Sequence, residues 1–240
     1  MYGKRARIGL IVPPTNTVIE EEFHRMAPEG VSIHTARATW EDPQPQPDSI
    51  IKMSESVADA AQRAAMAKVG TIVWGCTGGS FMKGVGFDQE LISQMEERTG
   101  IPSLTTSTAV IEAFKEFGFE SVAVATPYVD AVNEREKIFF EGHGFKVTKI
   151  KGLQLPQVTN IGLQEPSVSY SLAKEVDSPE ADGVFISCTD FRTIDILTKL
   201  EEELDKPAVS SNQASMWASL KRVGIQDPIK GFGSLLTRSR

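Results

Sequence analysis

The stretch Thr71-Ile72-Val73-Trp74-Gly75-Cys76-Thr77 decides the fold, because it recurs in altered form as Gly183-Val184-Phe185-Ile186-Ser187-Cys188-Thr189. The cysteines of the two copies are 112 residues apart (188 minus 76), and the chain has two cysteines in all. Each copy is a short apolar run closed by cysteine and threonine, the pattern of a buried parallel strand that ends at a functional loop. Two further matches flank the pair. Ile8 to Val12 followed by Pro13-Pro14-Thr15-Asn16 matches Val122 to Ala125 followed by Thr126-Pro127-Tyr128 and a helix holding Asn133. Ile101-Pro102-Ser103-Leu104-Thr105-Thr106 matches Lys206-Pro207-Ala208-Val209-Ser210-Ser211. The repeat predicts two similar parallel-sheet halves of an α/β fold, related by pseudo-twofold symmetry, with a cleft between them. We assign residues 1–105 plus 210–240 to the first half and 106–209 to the second.

Working outward, strands are expected at Arg7 to Val12, Val31 to Ala36, Thr71 to Trp74, Ser103 to Leu104, Ser121 to Ala125, Lys146 to Ile150, Gly183 to Ser187 and Ala208 to Val209. Helical periodicity falls between them, over Thr17 to Met26, Ser49 to Val69, Phe87 to Thr99, Thr108 to Phe117, Val129 to Glu141, Ser167 to Glu175, Thr193 to Leu204 and Ala214 to Val223. The proline-rich piece with Pro43, Pro45 and Pro47 cannot continue either element and reads as a loop able to cover a site.

Composition narrows the function. The 240 residues carry a net charge of −7, with 32 acidic against 25 basic side chains and no dense basic cluster, which argues against nucleic acid as a partner. No stretch nears the roughly 20 apolar residues of a membrane span, and Ile8 to Val12 is too short for a signal-peptide core. The expectation is a mature, cytoplasmic protein with no membrane role, and nothing in it excludes a homo-oligomer. In that reducing compartment both cysteines should be free thiols. His24, His34 and His143 have no metal-ligand spacing, and neither a phosphate loop nor a dinucleotide motif follows a strand, so we expect no metal and no cofactor.

In open parallel sheets ligands bind at the carboxyl ends of the strands, where both cysteines fall. Small polar residues follow each one: Thr77 and Gly78 after Cys76, Thr189 and Asp190 after Cys188. Free backbone N–H groups there should hold anions and lower the thiol pKa toward neutrality. Thr15, Asn16, Tyr128, Thr105, Ser210 and Ser211 are further neutral donors suited to a carboxylate, although each could simply cap a helix. Asn160 lies in a loop that could serve the same site.

These residues resemble a known family. Gly9-Leu-Ile-Val-Pro-Pro-Thr-Asn16-Thr, the two Cys-Thr strand ends and Ala125-Thr-Pro-Tyr128-Val-Asp-Ala-Val-Asn133-Glu-Arg are similar to the Asp/Glu racemase superfamily, and within it to maleate cis-trans isomerases and arylmalonate decarboxylases. The resemblance runs from Ile8 to about Leu236 and implies two Rossmann-like halves with the active site between them. It maps Asn16, Tyr128 and Asn160 onto substrate-binding positions, Cys76 onto a nucleophile and Cys188 onto its acid/base partner. Decarboxylases of this kind carry glycine where Cys76 stands, so the second thiol argues against decarboxylation.

The implied activity is cis-trans isomerisation of a small unsaturated dicarboxylate, maleate to fumarate, by thiolate addition, bond rotation and elimination. The same two thiols also suit an amino-acid or hydantoin racemase, one removing the α-proton and the other returning it to the opposite face. An arylmalonate-type decarboxylase and a two-lobed binding protein complete the alternatives. The expected ligand in every case is a small carboxylic acid or a close analogue.

Overall fold

Eight apolar runs become strands because each is short, β-branched and bounded by turn residues. In the computed structural model, which describes residues 2–238, the chain order is β1 (Ala6–Val12), α1 (Ile19–Met26), β2 (Val31–Arg37), α2 (Pro47–Ser54), α3 (Val57–Ala65), β3 (Thr71–Trp74), α4 (Thr77–Phe81), α5 (Phe87–Thr99) and β4 (Ser103–Thr105). The second run of elements is α6 (Thr106–Phe117), β5 (Ser121–Thr126), α7 (Asp130–Gly142), β6 (Lys146–Gly152), α8 (Pro166–Val176), β7 (Gly183–Ile186), α9 (Leu197–Leu204), β8 (Ala208–Ser210) and α10 (Ser211–Arg222). Residues 1, 239 and 240, which the sequence reading places in the first half, lie outside the described residues.

Among the described residues the strands form two four-stranded sheets, ordered β2-β1-β3-β4 and β6-β5-β7-β8, with every pair parallel. Adding four to each strand number of the first sheet gives the second, so the internal repeat is a real structural duplication. Equivalent registers follow: Ile11 pairs with Trp74 in one sheet and Ala125 with Ile186 in the other. Strands β3 and β7 are buried along their whole length, as central parallel strands covered on both faces must be.

Several helices differ from the sequence reading for local reasons. The long helix expected over Ser49 to Val69 is two. Ser54 turns its hydroxyl to the Ile50 and Gly79 carbonyls, and Ser56 bonds the Met53 carbonyl, so side chains compete with the helical ladder at the break. Pro47, read as loop, opens α2 at the position where a missing N–H costs nothing. Thr105 and Ser210 accept the N–H groups of Thr108 and Gln213, which starts α6 and α10 earlier than periodicity suggests. Helix α9 begins late, at Leu197, because the N–H groups of Thr193 and Ile194 are committed to Glu22.

The halves are joined by packing and by polar bonds. Phe114 of α6 meets Phe119 and Phe140 at a tilt and Phe145 and Phe185 edge to face, with ring centres 5.3–5.6 Å apart, which anchors the linking helix on the second sheet. Helices α6 and α10 lie together, with Ser215 bonding Thr106 at 3.0 Å and Arg222 paired with Glu112 at 2.7 Å. Glu22 of α1 crosses to the other half, accepting from Thr193 N at 2.8 Å and Ile194 N at 3.3 Å, and it accepts from Asn212 Nδ2 of its own half at 2.6 Å. Removing that carboxylate strands three buried donors, each worth a full desolvation penalty. Glu22→Ala should therefore lower the unfolding free energy by about 3 kcal/mol. Urea denaturation measures it, and a loss below about 0.5 kcal/mol would show that the seam does not depend on this residue.

Candidate active site

Strand length sets where the thiols stand. Cys76 and Cys188 each lie two residues beyond a four-residue central strand, β3 and β7, so the duplicated register carries both to the same end of the molecule. They line one cavity of about 610 Å³ that is open to solvent. Thr15, Asn16, Thr77, Gly78, Tyr128 and Thr189 line it too. The loop expected to cover a site does so, contributing Trp40 and Pro45 to the wall.

Asn160 is not on the wall. It ends a single 3₁₀ turn, Val158–Asn160, in which side chains three apart point the same way, and it is Val158 and Ile161 that face the cavity. Its carbonyl accepts from Gln164 instead. Thr105, Ser210 and Ser211 are also absent from the wall: the first two are fully buried helix caps, and Ser211 accepts from Thr77 Oγ1 at 2.8 Å. His24, His34 and His143 lie elsewhere.

A chain of bonds fixes the cavity floor. The Asn16 carbonyl oxygen accepts from the N–H groups of Val18 and Ile19, at 3.0 and 3.1 Å, and so delays the start of α1. Its amide donates to Thr189 Oγ1 at 3.0 Å, and that hydroxyl donates in turn to the Gly75 carbonyl at 2.9 Å. Three strand ends from two sheets are thereby held together. Gly75 has to be glycine, since a Cβ there would come within 2.7 Å of Ile19 Cδ1 and 3.1 Å of the Ile11 carbonyl.

The two thiols are not equivalent. Cys76 has extended backbone, φ −147°, and caps α4, its Sγ accepting the Gly79 N–H at 3.2 Å. Cys188 has φ +90°, a region L residues rarely adopt, and its thiol lies beside the Tyr128 hydroxyl. Contrary to the expected lowering, both thiols are raised. Burial among apolar walls pushes Cys76 up to about 12 against the pull of Gly79 N–H, and the Asp190 charge adds to the rise. Cys188 is raised further, by burial first and then by Asp190, with the Tyr128 hydroxyl opposing. Burial therefore favours the protonated form of both thiols.

Asp190 is the charged residue that the sequence reading passed over as a site member, although it stands two places after Cys188. It lines the cavity and accepts from Thr17 N at 2.7 Å, while burial pushes its carboxyl up to about 6. No lysine, arginine or histidine among the described residues lines the cavity, so an anion would be held by N–H groups and hydroxyls alone. The rest of the wall is apolar, with Ile50, Met53, Val132 and Leu155 beside Trp40. Among the described residues no group of three or more His, Cys, Asp or Glu side chains is placed to hold a metal ion, and no helix is long and apolar enough to cross a membrane. This arrangement offers a nucleophile, a proton donor across from it, and neutral donors for developing negative charge.

Known proteins share this plan over its whole length. The chain is 29% identical over 235 residues to arylmalonate decarboxylase of Bordetella bronchiseptica, covering 97% of each, and 24% identical over 242 residues to maleate isomerase of Pseudomonas putida, covering 96% of this chain and 97% of that one. A cysteine-to-serine mutant of Nocardia farcinica maleate cis-trans isomerase, solved with a covalently bound succinylcysteine intermediate, has the same fold, with a TM-score of 0.92 at 21% identity over 98% of this chain and 99% of that one. The arylmalonate decarboxylase family model matches residues 8–236, and with it the duplicated sheets and the cavity between them, so this chain belongs to the arylmalonate decarboxylase family.

Proposed function

We propose that the protein is a cis-trans isomerase of a small unsaturated dicarboxylate, of which maleate is the simplest. The observation that carries this reading is the pair of unlike thiols on one cavity, one at a helix start and the other under a tyrosine hydroxyl. Cys76 gives its thiol proton to Asp190, the carboxylate on the same wall, and takes it back when it leaves; its thiolate adds to one alkene carbon, forming a C–S bond, and the π electrons move toward the adjacent carboxylate as an enediolate. Gly79 N–H, Tyr128 and the hydroxyls of the wall meet the developing charge. Cys188 delivers its proton to the second carbon, leaving a succinyl thioether with a single bond that rotates. Its thiolate then removes a proton from that carbon, the double bond re-forms in the trans geometry, and Cys76 leaves as thiolate. Atoms and charge balance, and the succinylcysteine named for the Nocardia protein is the intermediate this route requires.

A second reading has its own support. The apolar wall and the similarity to arylmalonate decarboxylase favour decarboxylation of a substituted malonate at Cys188. A racemase, by contrast, asks two thiols to play mirrored roles, which the differing backbone and partners at Cys76 and Cys188 do not favour.

Mass spectrometry separates these readings. With maleate, the Cys188→Ser variant should accumulate an adduct of the substrate's mass on Cys76, and Cys76→Ala and Cys188→Ala should each lose at least about 10³-fold in turnover while remaining folded. Carbon dioxide from phenylmalonate, with no adduct and no fumarate from maleate, would replace isomerisation by decarboxylation.

The two glycines after Cys76 offer a second measurement. A methyl at Gly79 would lie 2.9 Å from Cys76 Sγ and 3.0 Å from both Ser54 Oγ and the Trp74 ring. Gly79→Ala should cost about 1–3 kcal/mol of stability and displace the thiol. A methyl at Gly78 meets nothing nearer than 3.7 Å, so Gly78→Ala should melt within about 2 °C of the parent. Equal melting temperatures for the two variants would show that the cap around Cys76 yields freely.

A further inference from the structure

Glu136 of α7 is the repeat equivalent of Glu22 of α1, since 136 minus 22 is 114, the same offset that relates Ile8 to Val122. Both turn inward from the helix that follows the first strand of their sheet, and both are buried. Their surroundings differ sharply. Glu22 accepts from Thr193 N, Ile194 N and Asn212 Nδ2, whereas Glu136, at 0% exposure, accepts from Ser187 Oγ at 2.6 Å and leaves Oε2 buried without a partner. A carboxylate in that position is poorly solvated and relieves the cost by keeping its proton. Burial pushes Glu136 up to about 8, with only the Ser187 bond opposing.

The place of this group matters more than its burial. Ser187 immediately precedes Cys188, and its N–H bonds the Ala125 carbonyl at 2.8 Å, so the Glu136 to Ser187 bond grips the backbone at the strained φ +90° residue. Tyr128, which lies beside Cys188, is raised first by burial, then by charge on Cys188, and then by charge on Glu136. The surrounding elements hold no counter-charge for it. The end of β5 presents Tyr128, the end of β7 Cys188, and the residue capping α4 Cys76, while α4 itself carries no ionisable side chain. On α7, Arg135 is exposed and reaches the Met82 carbonyl, and on β6 Lys149 and Lys151 are engaged by Glu175.

We propose that Glu136 is a positioning residue that works as the neutral acid: through Ser187 it fixes the backbone at Cys188, and by staying uncharged it lets Cys188 bear negative charge beside the neutral Tyr128 hydroxyl. The proposal rests on the reading that Cys188 exchanges a proton during turnover. Its sign is definite. Raising the pH favours thiolates, but ionising Glu136 opposes them, so the rise in reactivity should flatten for about one pH unit above about pH 8 before it resumes.

The test compares the parent, Glu136→Gln and Ser187→Ala by two readouts between pH 7 and 10: maleate turnover, and the rate at which iodoacetamide alkylates Cys188, followed by peptide mass spectrometry. Glu136→Gln should stay within about threefold of the parent at pH 7, lose the alkaline break, and alkylate Cys188 on the order of tenfold faster at pH 9.5, one unit of relief in the thiol. Ser187→Ala, which removes the bond that favours the charged form, should move the break to higher pH. Identical pH profiles in parent and Glu136→Gln, or a folded Glu136→Gln inactive at pH 7, would overturn the proposal. If Glu136→Gln does not fold, an unmoved break in Ser187→Ala overturns it equally. A shifted alkylation profile without maleate turnover would reject the isomerase reading and leave the role of Glu136 standing.

Discussion

The structure depends on a three-part bond that runs from the Asn16 amide through the Thr189 hydroxyl to the Gly75 carbonyl. Each sheet has four strands, and the chemistry needs residues from the ends of both, so a small error in how the halves meet would separate the thiols. Apolar packing alone would not prevent such an error, because hydrophobic burial is non-directional. Hydrogen bonds buried at the seam are directional, and once dehydrated they become costly to break. Glu22 adds its bonds to the 193–194 segment and Asn212, and Thr77 adds its own to Ser211. The polar residues that look like a binding set are in large part the means by which two similar sheets keep one register.

That double duty explains what the sequence could and could not reveal. All eight strands were legible because period and β-branching are local, and the duplicated Cys-Thr ends fixed which ends face one another. Helix starts were less legible, since Thr105, Ser210 and Glu22 act by capping or by reaching across the molecule, which apolar periodicity does not register. Asn160 was misplaced for a related reason: spacing put it near the site, but a single turn of 3₁₀ helix decides which of Val158, Asn160 and Ile161 looks inward. The direction of the thiol shifts was missed because the donors that follow each cysteine are visible in the sequence, while the apolar walls that outweigh them come from distant segments and the Asp190 charge counts only once it is buried beside both thiols. Asp190 was overlooked because a single acidic residue after a strand ordinarily reads as solvated.

A cavity without a basic side chain treats charge in its own way. Its anions are held by dipoles fixed in place by the fold, and such dipoles need no reorganisation as charge moves from one atom to another during reaction. They also set a limit, since every further negative charge in the same apolar space is resisted. Resting thiols that keep their protons and an aspartate raised to about 6 are two expressions of that resistance, and behind the wall the buried Glu136, raised to about 8, repeats it.

The duplicated architecture has a consequence for molecular traffic. A floor stitched across both halves cannot part to admit a ligand without dehydrated bonds being broken one after another. The segment carrying Trp40 and Pro45 is tied instead to Ser49 and Ser56 by bonds that mostly face water, such as Thr39 N to Ser56, Gln44 N to Ser49 and Ser49 Oγ to the Asp42 carbonyl. Entry and exit therefore fall to this rim, and the residues that decide how fast molecules pass are different ones from those that decide what happens to them inside.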